Sequence, residues 1–254
     1  MYRETPSRIA GATLWSSDSA EVAGETRIIP DGSIDIIWLG DRLIVAGADT
    51  HAQVAESRPE FATAGIRFAP GFAPALLGIA AHELTNRRIP LDAIWASSVV
   101  GPMRDRLESA GPTDADALAL TLEQLVVGRL DALDLSRAHR SRGLLRLAEA
   151  GMPAGNIADR LDLSPRQLHR RAIDDFGYGV RTLQRILRFQ RAVELLSRGL
   201  PLAAVAATTG FADQPHLNRE VKAFAGVTPG QLAGASGSAA NRSTELPSGS
   251  RIVA

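Results

Sequence analysis

The rhythm of apolar positions changes along the chain. Residues 33–39 (SIDIIWL) are rich in β-branched and aromatic side chains, Gly40-Asp41 is a two-residue turn signal, and residues 42–46 (RLIVA) return, so the stretch predicts a β-hairpin. Residues 64–68 (AGIRF) predict a further strand that stops at Pro70-Gly71, and Pro74 then opens a short buried helix over 74–80. Asp92 is placed to cap a helix carrying Ile94 and Trp95, and residues 103–110 predict another that ends at Gly111-Pro112. Next, Leu118, Leu122, Leu125, Val126, Leu130 and Leu133 recur at steps of three and four and make one apolar stripe on an amphipathic helix. The stripe suits packing on the amino-terminal sheet or a dimer seam, and packing is favoured because most such stripes are core.

Downstream, one local pattern occurs twice: residues 156–168 (NIADRLDLSPRQL) and residues 204–217 (AVAATTGFADQPHL). In each copy a β-branched residue and a small Ala start a short helix, a turn follows, and a second helix begins with polar residues before an anchoring leucine. This is the sequence form of a helix-turn-helix, in which the small Ala lets two helices cross closely while the apolar anchors fix their angle. Ser164-Pro165 reads as an N-cap followed by proline at the first helical position, and Asp213 is a suitable cap for the second copy. Ten steps separate Ala158 from Leu168 and eleven separate Ala206 from Leu217, which predicts a second turn one residue longer.

Aligning the copies on their leucines predicts the free faces. In the first, Arg166, His169 and Arg170 share a face while Leu168 and Ala172 turn inward; in the second, Pro215, Asn218 and Arg219 share one, flanked by Gln214 and Lys222, while Leu217, Val221 and Phe224 turn inward. Arg makes bidentate bonds to the guanine edge, and Asn and His also read base edges in the major groove. Two copies in register weigh against two ordinary solvated helix pairs. Between them, residues 180–198 form a continuous helical pattern ended by Gly199 and Pro201. Nineteen residues at about 1.5 Å each span roughly 28 Å, near the roughly 34 Å turn of DNA, so both recognition helices fit successive major grooves. Arg171, Arg181 and Arg188 are candidate phosphate contacts, with Arg185 and Arg191 on the same helix also available.

Charge sharpens this picture. The formal net charge is zero, yet residues 1–140 carry 13 Arg against 19 acids, and residues 141–234 carry 12 Arg and one Lys against 8 acids. An acidic half followed by a basic one is the pattern expected when one domain touches a polyanion. The chain has no cysteine, which removes thiolate nucleophiles and cysteine-ligated zinc or iron-sulfur sites. No apolar run approaches the roughly 20 residues of a bilayer span, and the start of the chain lacks the zones of a signal peptide, so a cytoplasmic protein without membrane contact is expected.

With these features together, the sequence resembles the AraC/XylS-type transcription regulators. The resemblance spans about residues 142–232 and rests on Ile157-Ala158, Leu163-Ser164-Pro165, Phe176-Gly177, Arg188, Gly210-Phe211, His216, Arg219 and Gly226-Val227-Thr228-Pro229 in the family's order and spacing. Ala172, Leu217, Val221 and Leu232 are smaller than the aromatics the family usually places there. Residues 27–32, 67–71 and 81–91 resemble one subtype of the variable domain that precedes such readers. The resemblance implies an α+β chain: a small β-rich, barrel-like sensor domain with helices over 1–112, a helical linker or dimerisation segment over 113–140, and an all-helical reader of two helix-turn-helix subdomains over 141–234; residues 235–254, rich in Ala, Ser and Gly, bury too little apolar surface to offset ordering entropy and are expected to be a disordered tail. Promoter DNA, RNA polymerase, a small-molecule effector and a second copy of the chain are the partners the resemblance implies, with no cofactor and no metal.

Two rival readings compete with this one. Alkyl-transfer DNA repair on the same reader fold needs a thiolate and is excluded, and a metal-dependent barrel enzyme finds only His51, His82 and His139 in the first half, far apart in sequence. Asp31 and Asp35 are spaced on one strand face, although Asp31-Gly32 is more simply a turn. A DNA-architectural protein is the second rival, and it would bind with little sequence preference.

Overall fold

The computed structural model describes residues 2–18, 25–56, 61–111, 113–130, 136–233 and 251–253. The amino-terminal part is built on strands β1 (Tyr2–Pro6), β2 (Ala12–Ser17), β3 (Glu25–Ile28), β4 (Ile34–Trp38), β5 (Leu43–Ala46), β6 (Gln53–Glu56), β7 (Thr63–Phe68) and β8 (Arg88–Pro90). A six-stranded antiparallel sheet runs in the order β1-β2-β7-β4-β5-β8, and a smaller one pairs β6, β3 and β9 (Arg251–Val253). The hairpin expected at Gly40-Asp41 forms, with Ile37 opposite Ile44 and the Leu39 amide donating to the Arg42 carbonyl at 3.0 Å.

Strand alternation gives the large sheet two different faces. Leu14, Ile36, Ile66 and Phe68 are buried on one side. That side carries α3 (Ala115–Leu130), which lies across β2 and β7 and buries Leu118, Leu122 and Val126 completely. Polar contacts fix the register of α3: Ser16 Oγ donates to Asp116 Oδ1 at 2.5 Å, and buried Glu123 accepts from Ser7 Oγ at 2.6 Å and the Arg8 amide at 2.7 Å. The apolar stripe is therefore core packing within the chain; Leu133 lies outside the described residues. Trp15, Asp35, Ile37, Ile44 and Arg67 project from the opposite face, toward β3 and β6, and enclose a cavity of about 520 Å³.

Short elements follow: α1 (Ala73–Leu77), a 3-10 turn at Ala81–Glu83, another at Leu91–Ala93, and α2 (Ser97–Ser109). Two expectations fail here. Asp92 caps no helix; it sits inside the second 3-10 turn, which is closed by the Ile94 and Trp95 amides on the Leu91 carbonyl. The helix expected from residue 103 begins at Ser97 and carries Pro102 within it, because burying Val100, Met103 and Leu107 together offsets the one backbone bond that a proline removes.

The carboxyl-terminal part comprises α4 (Ser136–Glu149), α5 (Ala154–Arg160), α6 (Pro165–Phe176), α7 (Val180–Ser197), α8 (Leu202–Thr209) and α9 (Gln214–Ala225). A boundary at Ser141 falls inside α4, whose Arg137 and Ser141 both reach Asp175 of α6, at 2.9 and 2.7 Å. The two parts are joined by polar contacts at three separate places. Thr85 Oγ1 donates to the Gly177 carbonyl at 3.2 Å, Gln190 of α7 donates to the Pro30 carbonyl, and Arg27 Nη1 donates to the Ala225 carbonyl at 3.2 Å. The expected tail falls largely outside the described residues, apart from Arg251–Val253, which form β9 beside β3.

Candidate nucleic-acid interface

Each sequence copy folds as a helix, a turn and a second helix. In the first, Ile157 and Ala158 of α5 are buried against Leu168 and Ala172 of α6; in the second, Val205 and Ala206 of α8 are buried against Leu217, Val221 and Phe224 of α9. The small Ala at the crossing carries no side chain beyond Cβ, so the paired helices approach closely. The turns span residues 161–164 and 210–213 and are equal in length. The extra residue expected in the second turn lies instead in α8, where Thr209 continues the helix and bonds its hydroxyl to the Val205 carbonyl at 2.6 Å. Both turns use left-handed backbone, at Asp162 (φ 53°) and Gly210 (φ 77°).

Caps set where the second helices begin. Ser164 Oγ accepts from the Gln167 amide at 3.2 Å while Gln167 Oε1 accepts from the Ser164 amide at 2.8 Å, a reciprocal capping box with Pro165 in the first turn. Asp213 Oδ1 accepts from the His216 amide at 2.6 Å at the start of α9. The His216 ring packs edge-on against Phe211, their centroids 5.3 Å apart, and so braces the turn that precedes it.

On these helices the structure leaves Arg166, His169 and Arg170 exposed on α6, and Gln214, Pro215, Arg219 and Lys222 exposed on α9; Asn218 is half-buried. The set thus divides into two surface faces, one per unit, each opening at a capped helix start. The phosphate candidates divide differently. Arg181 is exposed at the start of α7, whereas half-buried Arg171 stands 3.7 Å from Asp175. Arg188 stacks on Phe211 with 4.8 Å to the ring centroid and its Nε is buried. Arg185 is engaged by Glu220 through two bonds of 2.8 and 2.9 Å, which hold the Glu220 carboxyl below its ordinary pKa. Arg185 and Arg188 therefore tie α7 to the second unit.

Helix α7 is 18 residues long, about 27 Å, and joins the two units along the chain. Leu183, Ile186, Phe189 and Ala192 are buried along it, and Phe189 meets Phe224 of α9 at 5.1 Å between ring centroids. Sequence reading misses the capping partner Gln167, although its place three residues after Ser164 is the signal for it. It also misses that Glu4, Asp31 and Asp35 gather about Arg67 in the β-rich domain; beyond the spacing of Asp31 and Asp35, the trace of this cluster is the charge of Asp35 and Arg67 at inward-facing positions of β4 and β7.

Two helix-turn-helix units held on one linking helix define a bipartite DNA-binding module. Residues 157–235 match the family described as "Helix-turn-helix domain", and residues 12–90 match a "Domain of unknown function (DUF6597)". The carboxyl-terminal domain belongs to the AraC/XylS type of helix-turn-helix transcription regulators. The HTH-type transcriptional regulator VirS of Mycobacterium tuberculosis is 36% identical over 104 residues, covering 38% of this chain and 30% of VirS. The chain thus spans under a third of the length of the curated relatives it matches. Among solved structures, ToxT of Vibrio cholerae aligns over 91% of this chain and 97% of its own at 10% identity and a TM-score of 0.45. A singly substituted apo form of ToxT aligns over 90% and 98% at 14% identity and a TM-score of 0.43. Among the described residues, no helix is long and apolar enough to cross a membrane.

Proposed function

We propose that the protein is a sequence-specific transcription regulator whose two helix-turn-helix units read successive major grooves on one face of a promoter, with the β-rich domain as its regulatory partner. The observation that carries this reading is the pair of exposed faces, Arg166-His169-Arg170 on α6 and Gln214-Pro215-Arg219 on α9, in two units joined by α7. Arg170 and Arg219 each lie two residues beyond the leucine that anchors their helix, which suits both to base edges, while Arg181 and Lys222 suit phosphates. On this reading the protein works in the cytoplasm, and its regulatory output passes to RNA polymerase at the promoter.

Contacts from the β-rich domain to α6, α7 and α9 give a small-molecule effector a direct route to the spacing of the readers. Self-association remains compatible with this arrangement through surfaces other than the buried stripe of α3. Selection of randomised duplexes by the full chain tests the proposal: recovery of two half-sites about 10 base pairs apart supports it. Tight binding with no recovered preference would instead indicate an architectural role.

A further inference from the structure

The cavity of about 520 Å³ in the β-rich domain is of a size that takes a small molecule. Its polar floor carries an excess of negative charge. Arg67 is the cation at the centre, and three carboxylates surround it: Glu4 Oε1 lies 2.7 Å from Nη1, and Asp35 Oδ1 and Asp31 Oδ2 lie 3.3 and 3.6 Å from Nε. A second Asp–Arg pair on the wall, Asp49 with Arg88 at 2.7 and 3.0 Å, is matched one to one. Two more charged residues line the cavity and each has a partner, Asp18 with Arg3 and Arg42 with Asp41, so the Arg67 cluster is where negative charge exceeds positive charge, among largely buried side chains.

Two further observations point outward from this cluster to a missing partner. Arg67 Nε is buried with Asp35 Oδ1 and Asp31 Oδ2 at 3.3 and 3.6 Å, and it completes no hydrogen bond among the described residues, so a donor is still available within this cluster. Aromatic rings border the same space: Tyr2 and Trp15 stack with centroids 6.0 Å apart, and Phe61 lies on the wall. Aromatic and apolar walls beside carboxylates suit an amine or amidine carried on an apolar body. Burial and the neighbouring Asp35 raise the Asp31 pKa to about 6 against the pull of Arg67, as expected of a carboxylate short of positive partners.

We infer that this cavity binds a small organic cation, an amine or amidine on an apolar body, whose charge is met by Asp31 and Asp35 and whose hydroxyl or carbonyl oxygen accepts from Arg67 Nε. An anionic ligand is disfavoured because Arg67 is already outnumbered by carboxylates. This inference rests on the regulatory reading proposed above and gives it a route to the readers. Asp31 and Arg67 also line the groove between the β-rich domain and α7, and the Pro30 carbonyl beside Asp31 accepts from Gln190 of that helix.

The test is made on the full chain without DNA, so that its failure leaves the DNA-binding proposal standing. Phenethylamine, 2-amino-1-phenylethanol, benzamidine, benzoate and benzyl alcohol are compared by thermal shift and calorimetric titration. The cations should raise the melting temperature in a concentration-dependent way, the hydroxylated amine should bind more tightly than phenethylamine, and benzoate and benzyl alcohol should do neither. Asp35→Asn and Asp31→Asn should each weaken amine binding by about tenfold or more; Asp31→Asn keeps a neutral isostere at the turn and serves if Asp35→Asn fails to fold. The inference is overturned if no cation binds, if benzoate binds better than the amines, or if a folded Asp31→Asn variant binds them as the wild type does.

Discussion

Thr85 and Gly177 meet across the junction between the β-rich domain and the first helix-turn-helix unit, the Thr85 hydroxyl donating to the Gly177 carbonyl at 3.2 Å. Gly177 ends α6 in left-handed backbone (φ 87°), and a Cβ built there would stand 2.2 Å from Thr85 Oγ1. One position thus serves both helix termination and domain contact. Gly177→Ala should cost about 1–2 kcal/mol for the left-handed backbone alone, with a further loss from displacing Thr85. Urea denaturation of Gly177→Ala, Thr85→Ala and the double variant checks this. Thr85→Ala relieves the close approach, so the double variant should be more stable than the sum of the single effects allows.

Asp175 is the buried anchor between α4 and α6, held by Arg137 at 2.9 Å and Ser141 at 2.7 Å. Asp175→Ala leaves the Arg137 charge without its partner and should destabilise the domain by about 3 kcal/mol or more. Asp175→Asn retains an acceptor and should lose less. The midpoints of chemical denaturation, at unchanged slope, give the comparison.

The stripe of α3 supplies a third expectation. Leu122 is fully buried on the β2–β7 side of the sheet, so Leu122→Glu should destabilise the fold by more than about 3 kcal/mol through a buried charge. Circular dichroism with light scattering reads the outcome. A well-folded Leu122→Glu monomer derived from a wild-type dimer would instead make the stripe a seam between copies.

Asp31 links stability to pH in a stated direction. Its pKa rises to about 6 in the folded protein from an ordinary value of 3.8, with Arg67, Asp35 and Tyr178 as its charged or titratable neighbours. The folded state therefore holds this proton more tightly than the unfolded state, so the contribution to stability is full below pH ~4 and is lost as pH rises through ~6. Asp31→Asn does not titrate. Its stability relative to wild type should increase across that window, by at most about 3 kcal/mol, in melting curves taken at each pH.

Legibility in the sequence follows the strength of the local pattern. The β4–β5 hairpin, α3, α7 and both helix-turn-helix units can be read because periodicity, caps and turn residues agree at those places. The β1–β2 hairpin cannot, because Tyr2–Pro6 is a polar, half-exposed edge strand whose place comes from pairing with β2 and from long-range bonds such as Arg67 to Glu4. The helix expected from residue 103 starts earlier than its pattern shows, because burial of Val100 and Met103 on both sides of Pro102 carries α2 through the proline. The faces of α6 and α9 are legible from the spacing of Leu168 and Leu217. The engagement of Arg185 with Glu220 and of Arg188 with Phe211 is not, since both contacts join separate elements. For Arg188 this gives a direct expectation: Arg188→Ala should lower stability, with any loss of DNA affinity similar across sequences.

The two-reader arrangement is tested most directly by binding selection on randomised DNA with the wild-type chain, Arg170→Ala and Arg219→Ala. Both arginines are exposed at the free faces of their helices, so each substitution should leave folding intact and remove one base-edge contact, at a cost of about 1–3 kcal/mol. The predicted result is loss of preference at a few base pairs in each variant, at two different places separated by about one helical turn of roughly 10 base pairs. If both variants lose preference at the same base pairs, or if neither changes preference while remaining folded, the two units do not read successive grooves.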